Sequence, residues 1–190
     1  ISGEGETSIL GSLLKLGAVD VLDAFRTYIY DSSVSGTEKS GLEVHAHTWK
    51  KSGLDTEPVY TGNAGGFGGT LLNGSVKGSQ VTNLREVEGL NYTGGFIGHL
   101  GKSGVVDLDK LGVLDKILGV SAGVLDVFGS HVENSSVTGL AEGFTVKSRN
   151  AAEKKQEIAG GFAGYADLAK LDQDTVANLK QVASEEKSRR

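Results

Sequence analysis

The stretch GGFIGHLGKS, residues 94–103, admits two readings, and the choice between them decides the fold. Its glycines and its Gly-Lys-Ser tail, set ahead of an apolar run, have the outline of a phosphate-binding loop. That loop needs G-x-x-x-x-G-K-[S/T], because its backbone amides must curl around the phosphates while the lysine reaches them. Counting back five residues from Gly101 gives Phe96, so the register is wrong by one. The same GGF triplet recurs at 65–67 and 160–162, each time followed by x-Gly and without a following Gly-Lys. GGFxG therefore reads as structural punctuation. Gly65, Gly66, Gly94, Gly95, Gly160 and Gly161 permit sharp turns or tight stacking, and Phe67, Phe96 and Phe162 are expected inside, stacked on one another, with Lys102 exposed.

Self-similarity extends beyond the triplet. AVDVLDAFRTYIYDSSVSG at 18–36 aligns without gaps on SAGVLDVFGSHVENSSVTG at 121–139, with eight identities in nineteen positions. GGFGGTLLNGSVKGSQVTNLREV at 65–87 aligns on GGFAGYADLAKLDQDTVANLKQV at 160–182, offset by 95, with eight in twenty-three. Each unit reads as a short Ser/Val/Gly element (DSSVSG, NGSVKG, NSSVTG), a β-like run (LEVHAHTW, VTNLREV, GFTVKS), a polar loop, and then GGFxG. From the central valine to the phenylalanine the spacing is 33, 20 and 25 residues, so coils of about 20–30 residues are expected, stacked as in a solenoid.

Two stretches read as helical. SILGSLLKLGAVDVLDAFRTYIY at 8–30 has Ser8 as an N-cap and Leu10, Leu13, Leu14, Leu22, Phe25 and Ile29 as an apolar stripe. VVDLDKLGVLDKILGVSAGVLDVF at 105–128 is similar, interrupted by Gly112, Gly119 and Gly123. Both are too interrupted and too weakly basic for interfacial helices, so they are expected to pack on the solenoid or cap it.

The repeated G-G-F-x-G with a preceding V-x-G (Val34-Ser35-Gly36, Val76-Lys77-Gly78, Val137-Thr138-Gly139) resembles the glycine-rich GLUG-type repeats of bacterial surface-exposed and secreted proteins. The likeness covers roughly 31–98 and 129–182. It implies a right-handed parallel β-helix, the handedness that crossover chirality also favours. It further implies a stalk or adhesive role on the cell surface and no catalytic residues. The expected fold class is mainly β with helical insertions, a short irregular right-handed parallel β-helix with helices at 8–30 and 105–128. The whole of 1–190 is one repeat domain: a helical cap at 1–30, two coils at 31–104, the insertion at 105–128, and a third coil plus an incomplete last one at 129–190.

Composition agrees with this class. Gly supplies 29 of 190 residues and Pro only one, a pattern of tight turns between packed segments. Net charge is −5 and the pI near 5.4, which disfavours nucleic acid and anionic membranes as partners, and no membrane-inserting run is present. Without cysteine there are no disulfides or thiolate sites. The chain begins at Ile1 and ends Lys187-Ser188-Arg189-Arg190, and is read as a processed or excised piece. The 95-residue offset places a further GGF at 189–191, where the sequence instead stops, so a last coil beginning near 171 is expected to leave an edge covered by a neighbouring chain or by the next repeat of the parent.

Candidate sites are few. In LEVHAHTW, Glu43, His45 and His47 alternate onto one strand face, a pattern able to chelate zinc, although an ordinary solvated face is the preferred reading. Trp49 offers a surface for a sugar ring, with core or edge packing as the commoner role of a lone tryptophan. Asp107 and Asp109, or Asp172 and Asp174, lack the Asp-x-Asp-x-Asp-Gly calcium pattern. No G-x-S-x-G elbow is present. The functional expectation is a non-enzymatic module with no cofactor, whose partners are neighbouring repeats and a host or bacterial surface glycan or protein. The alternatives are a glycan-binding or glycan-cleaving β-helix and a self-associating filament subunit.

Overall fold

The computed structural model describes residues 26–52, 55–60, 62–102, 129–149 and 157–185, and within them the protein is mainly β, with parallel sheets and no helix. The chain runs through four passages. The first lays down β1 (Thr27–Tyr30), β2 (Ser33–Ser35), β3 (Leu42–His45), the antiparallel hairpin β4 (His47–Ser52) and β5 (Asp55–Tyr60), then β6 (Ala64–Gly65) and β7 (Gly68–Leu72). The second contributes β8 (Gly74–Lys77), β9 (Gln80–Gly89), β10 (Tyr92–Gly94) and β11 (Ile97–Gly101). The third adds β12 (Ser130–Glu133), β13 (Ser136–Gly139), β14 (Phe144–Arg149), β15 (Ile158–Gly160) and β16 (Ala163–Ala166). The fourth supplies β17 (Ala169–Asp172), β18 (Thr175–Ala177) and β19 (Leu179–Glu185).

Hairpin aside, each strand pairs in parallel with its counterpart in the neighbouring passage. The orders are β1-β8-β12-β17, β6-β10-β15 and β7-β11-β16, and a seven-stranded sheet joins β2, β3, β9, β13, β14, β18 and β19. Because side chains alternate faces along a strand, this register aligns like with like. Ile29, Val76, Val132 and Leu171 form one inward column, Val34, Val81, Val137 and Val176 a second, and Val44, Val87, Val146 and Val182 a third. The middle members of each are buried and belong to one core cluster. In the last passage the inward residues Leu171, Val176, Leu179 and Val182 are exposed.

The corners have local causes. After the first strand of each passage the chain turns at Asp31, Gly78, Asn134 and Gln173, all with positive φ. It turns again before the third strand segment at Gly41, Asn83, Gly143 and Asn178, also with positive φ. Asn and Gly tolerate this region at least cost. A hydroxyl ladder ties the first corner across passages: the Ser32 amide donates to Ser79 Oγ at 3.2 Å, Ser79 to Ser135 Oγ at 3.2 Å, and Ser135 to Asp174 Oδ1 at 2.8 Å.

The GGF segments form the third kind of corner. Phe67 and Phe96 stack with ring centroids 4.7 Å apart, and Phe96 and Phe162 at 4.8 Å, with Phe96 wholly buried. A side chain on Gly94 would collide with the Ile97 carbonyl of its own turn, and one on Gly95 with the Gly161 carbonyl of the next passage. The first glycine thus permits the turn, and the second permits the stacking.

Three expectations are corrected. The helix at 8–30 fails at its end, because Thr27–Tyr30 is a strand; TYIY is β-branched and aromatic, and Ile29 faces inward by alternation. The rest of that helix and the one at 105–128 lie outside the described residues. Passages are longer than 20–30 residues: equivalent ladder positions are 47, 56 and 39 residues apart. Finally, Val76-Lys77-Gly78 is not the counterpart of Val34-Ser35-Gly36, since Val34 and Val137 both pair with Val81 while Val76 sits between Ile29 and Val132. NGSVKG imitates the Ser/Val/Gly element one strand early.

Two substitutions test this packing. Phe96→Ala, which empties the centre of the stack, is expected to lower unfolding free energy in urea by about 3–5 kcal/mol. Burial, together with the nearby Asp172 and Glu133 carboxylates, raises the Asp174 pKa against the pull of its amide hydrogen bonds. Folding therefore favours its protonated form, and the cost appears once pH exceeds the ordinary aspartate range. Asp174→Ser, restoring the hydroxyl of the other passages, should raise the melting midpoint at pH 7, with the gain vanishing at pH 3.

Candidate functional site

Among the described residues, the densest set of ionisable groups lies on the outer face where β3, β9 and β14 run side by side. Glu43 is in register with Glu86, and Glu86 with Thr145; His45 is in register with Glu88, and Glu88 with Lys147. Alternation turns all of them away from the Val44, Val87 and Val146 column. His45 Nε2 lies 3.3 Å from Glu86, whose other oxygen accepts from Lys147 Nζ at 2.7 Å and from Thr145 Oγ1 at 3.1 Å. Glu88, only 3% exposed, accepts from Lys147 at 3.3 Å and from Arg149 at 2.6 Å. Glu43 turns instead to Arg85, 3.1 Å away.

The Glu43, His45, His47 set is therefore not gathered as a ligand triad. His45 and His47 are neighbours, with ring centroids 5.9 Å apart, but the groups whose ligand atoms converge within 4.8 Å are His45, Glu86 and Glu88. These do not fit a divalent cation well. Two carboxylates face two permanent cations, so the group is already neutral, and an added ion would meet Lys147 and Arg149 at short range. Burial pushes the Glu86 carboxyl up, but the Lys147 hydrogen bond and charge outweigh it and hold it below its ordinary range. Lys147 is raised in turn, chiefly by its hydrogen bond to Glu86. The cluster is an ionic cross-link between passages. Sequence inspection misses it because E-x-E at 86–88 and K-x-R at 147–149 are legible as same-face pairs, while which strand lies beside which is not.

The other predicted residues fall as follows. The amides of Gly95, Phe96 and Ile97 donate to Gly160 and Phe162 carbonyls at 3.2, 2.8 and 3.1 Å, so the segment that imitates a phosphate loop has these donors committed. Lys102 is half-buried. The Trp49 backbone pairs with Pro58 in the hairpin, and its indole lies outside the described side chains. A cluster unmarked in the sequence joins Tyr92, His99 and Tyr165, with ring centroids 4.7–5.4 Å apart. Burial lowers the His99 pKa against the opposing charge of Asp167, so its contribution to stability is present above the ordinary histidine range and falls away as pH drops through its folded value.

No family model, curated protein or solved structure matches the chain.

Glu88→Gln removes the buried carboxylate that two half-buried cations share and is expected to cost about 3 kcal/mol in urea unfolding at pH 7. The Glu86–Lys147 contribution is present above the ordinary glutamate pKa and lost as pH falls through the depressed folded value. At the alkaline end it is present below the ordinary lysine pKa and lost as pH rises through the elevated one. Stability measured from pH 3 to 11 should show both shoulders in the wild type, and Lys147→Met should flatten them.

Proposed function

We propose that this chain is a non-enzymatic structural and adhesive repeat module of a bacterial cell-surface or secreted protein, built as a short right-handed parallel β-solenoid of GLUG-like repeats. The observation that carries the reading is the in-register parallel pairing of every passage with its neighbour, which makes one apolar core out of segments unable to bury their own faces alone. Such a stack is a stiff spacer whose outer faces are free to vary. Its charged groups support the same reading: Glu86, Glu88, Lys147 and Arg149 are engaged with one another across passages, where a catalytic set would point them at a substrate.

A second reading, a self-associating filament subunit, is favoured by the exposed inward residues of the last passage, Leu171, Val176, Leu179 and Val182. An uncovered sheet edge with apolar side chains is a template for pairing. Sedimentation velocity over a concentration series separates the two. A persistent monomer supports the spacer, and concentration-dependent growth abolished by Val182→Lys supports the filament.

For the spacer, the expected circular dichroism is strand-dominated. Reducing-sugar release from polysaccharides and phosphate release from ATP should both stay at background. Turnover in either assay, lost in Glu88→Gln at a pH where that variant is folded, would overturn the non-enzymatic assignment. Antibodies against the purified chain should label intact cells of the source organism or its culture medium.

A further inference from the structure

We propose that the edge formed by β15 to β19 is the interface of a closed, two-fold dimer: a second copy of this chain meets it tail to tail, with β17 of one copy antiparallel to β17 of the other. The dimer rests on the solenoid reading above and sets a closed pair in place of open-ended growth.

Five consecutive strands, β15, β16, β17, β18 and β19, each stand last in the order of their sheet. Among the described residues, the exposed large hydrophobic side chains outside β1 are all on these strands: Tyr165 at 37%, Leu171 at 44%, Val176 at 40%, Leu179 at 42% and Val182 at 40%. The opposite end differs. There the inward residues Ile29, Val34, Leu42 and Val44 are half-buried. A head-to-tail filament needs both ends open, whereas a two-fold joint uses the same patch on each copy and needs only one. Within the chain, each edge is covered by the next passage in register, so what fits this edge is more of the same kind, strands with inward Leu and Val.

The order of the strands places the two-fold axis. In a winding chain the five edge strands rise as a ramp, from β15 at the foot to β19 at the top. Two identical ramps laid face to face keep an even separation only about an axis through their middle, and the middle strand is β17. Its sequence accepts that axis. With Leu171 on it, antiparallel pairing sets Lys170 of each copy directly opposite Asp172 of the other, giving two facing pairs of opposite charge. Lys-Leu-Asp is its own antiparallel complement, which selects a second copy over a foreign strand. Asp172 gains from an arriving lysine, because on its other side it lies in register with Glu133.

The test is sedimentation velocity with light scattering on the full chain over a concentration series. The mass is expected to rise from one chain to two and stop. Lys170→Asp and Asp172→Lys each set like charges opposite one another at both pairs, and each should raise the dimer dissociation constant about tenfold or more. Mixing the two variants should restore pairing as a heterodimer, and combining them in one chain should restore the homodimer. The mixed rescue is peculiar to antiparallel pairing at β17, since a head-to-tail joint sets neither residue opposite the other. Lys39→Asp, at an exposed position between β2 and β3, should leave association unchanged. Circular dichroism of each variant checks that the strands are retained. A persistent monomer, growth past two chains, a dimer indifferent to the charge variants, or failure of the mixed rescue overturns the interface. Where the spectrum stays strand-dominated and turnover is absent, only the interface is lost; a helix-dominated spectrum removes the solenoid reading itself.

Discussion

Everything in this protein depends on how closely one passage of backbone can approach the next. At the GGF corners that distance is set by the absence of a side chain: Gly95 lies against the Gly161 carbonyl, and Gly66 against that of Gly95. With those glycines present, the amide of Phe96 reaches the Phe162 carbonyl at 2.8 Å and that of Phe67 reaches Phe96 at 2.9 Å. The three phenyl rings then fall into van der Waals contact. The valine columns and the hydroxyl ladder inherit their spacing from the same separation, since all are borne on strands paired across it.

The two kinds of lateral order serve different ends. Apolar columns inside supply free energy but little discrimination, because Val on Val is satisfied by many registers. The outer cluster of His45, Glu86, Glu88, Lys147 and Arg149 is satisfied by one. A slip of one residue would turn Glu88 into the core and leave Lys147 against Val87. Buried charge pairs are poor sources of net stability but do penalise misalignment. The parallel register between β9 and β14 is the place where that penalty acts.

Much of this was legible beforehand, and the misses have identifiable causes. The GGF corners and the stacked, interior Phe96 follow from the recurrence of the triplet. The offsets seen by alignment, 95 for GGF and 103 for Val34 and Val137, each span two passages, while the valine-to-phenylalanine spacing that suggested 20–30 residues covers only part of one, so neither measures the passage length. NGSVKG misled because Gly-Ser-Val is also a plausible corner; the pairing of Val34 and Val137 with Val81 and the serine ladder through Ser79 show that the matching segment is GSQV. The TYIY segment at 27–30 misled because an apolar residue every few positions fits a helical stripe as well as a strand when the run is short. The Tyr92, His99, Tyr165 cluster was invisible because its members come from three strands whose adjacency is a property of the pairing alone.

The passages differ in length, 47, 56 and 39 residues between equivalent ladder positions, yet the columns stay in register throughout. Register is therefore held by the corners, through positive φ and Gly-Gly contact, together with the ionic cluster between β9 and β14, and is insensitive to how much chain lies between β3 and β6 or between β11 and β12. Such a molecule has splice ports: places where a hairpin, a foreign epitope or a whole domain can enter the covalent chain while the paired framework is unaware of it. The β4–β5 hairpin already occupies one. What varies in length there is connecting chain, and the frame that stays in register around it turns at Asp31, Gly41, Gly78, Asn83, Asn134, Gly143, Gln173 and Asn178.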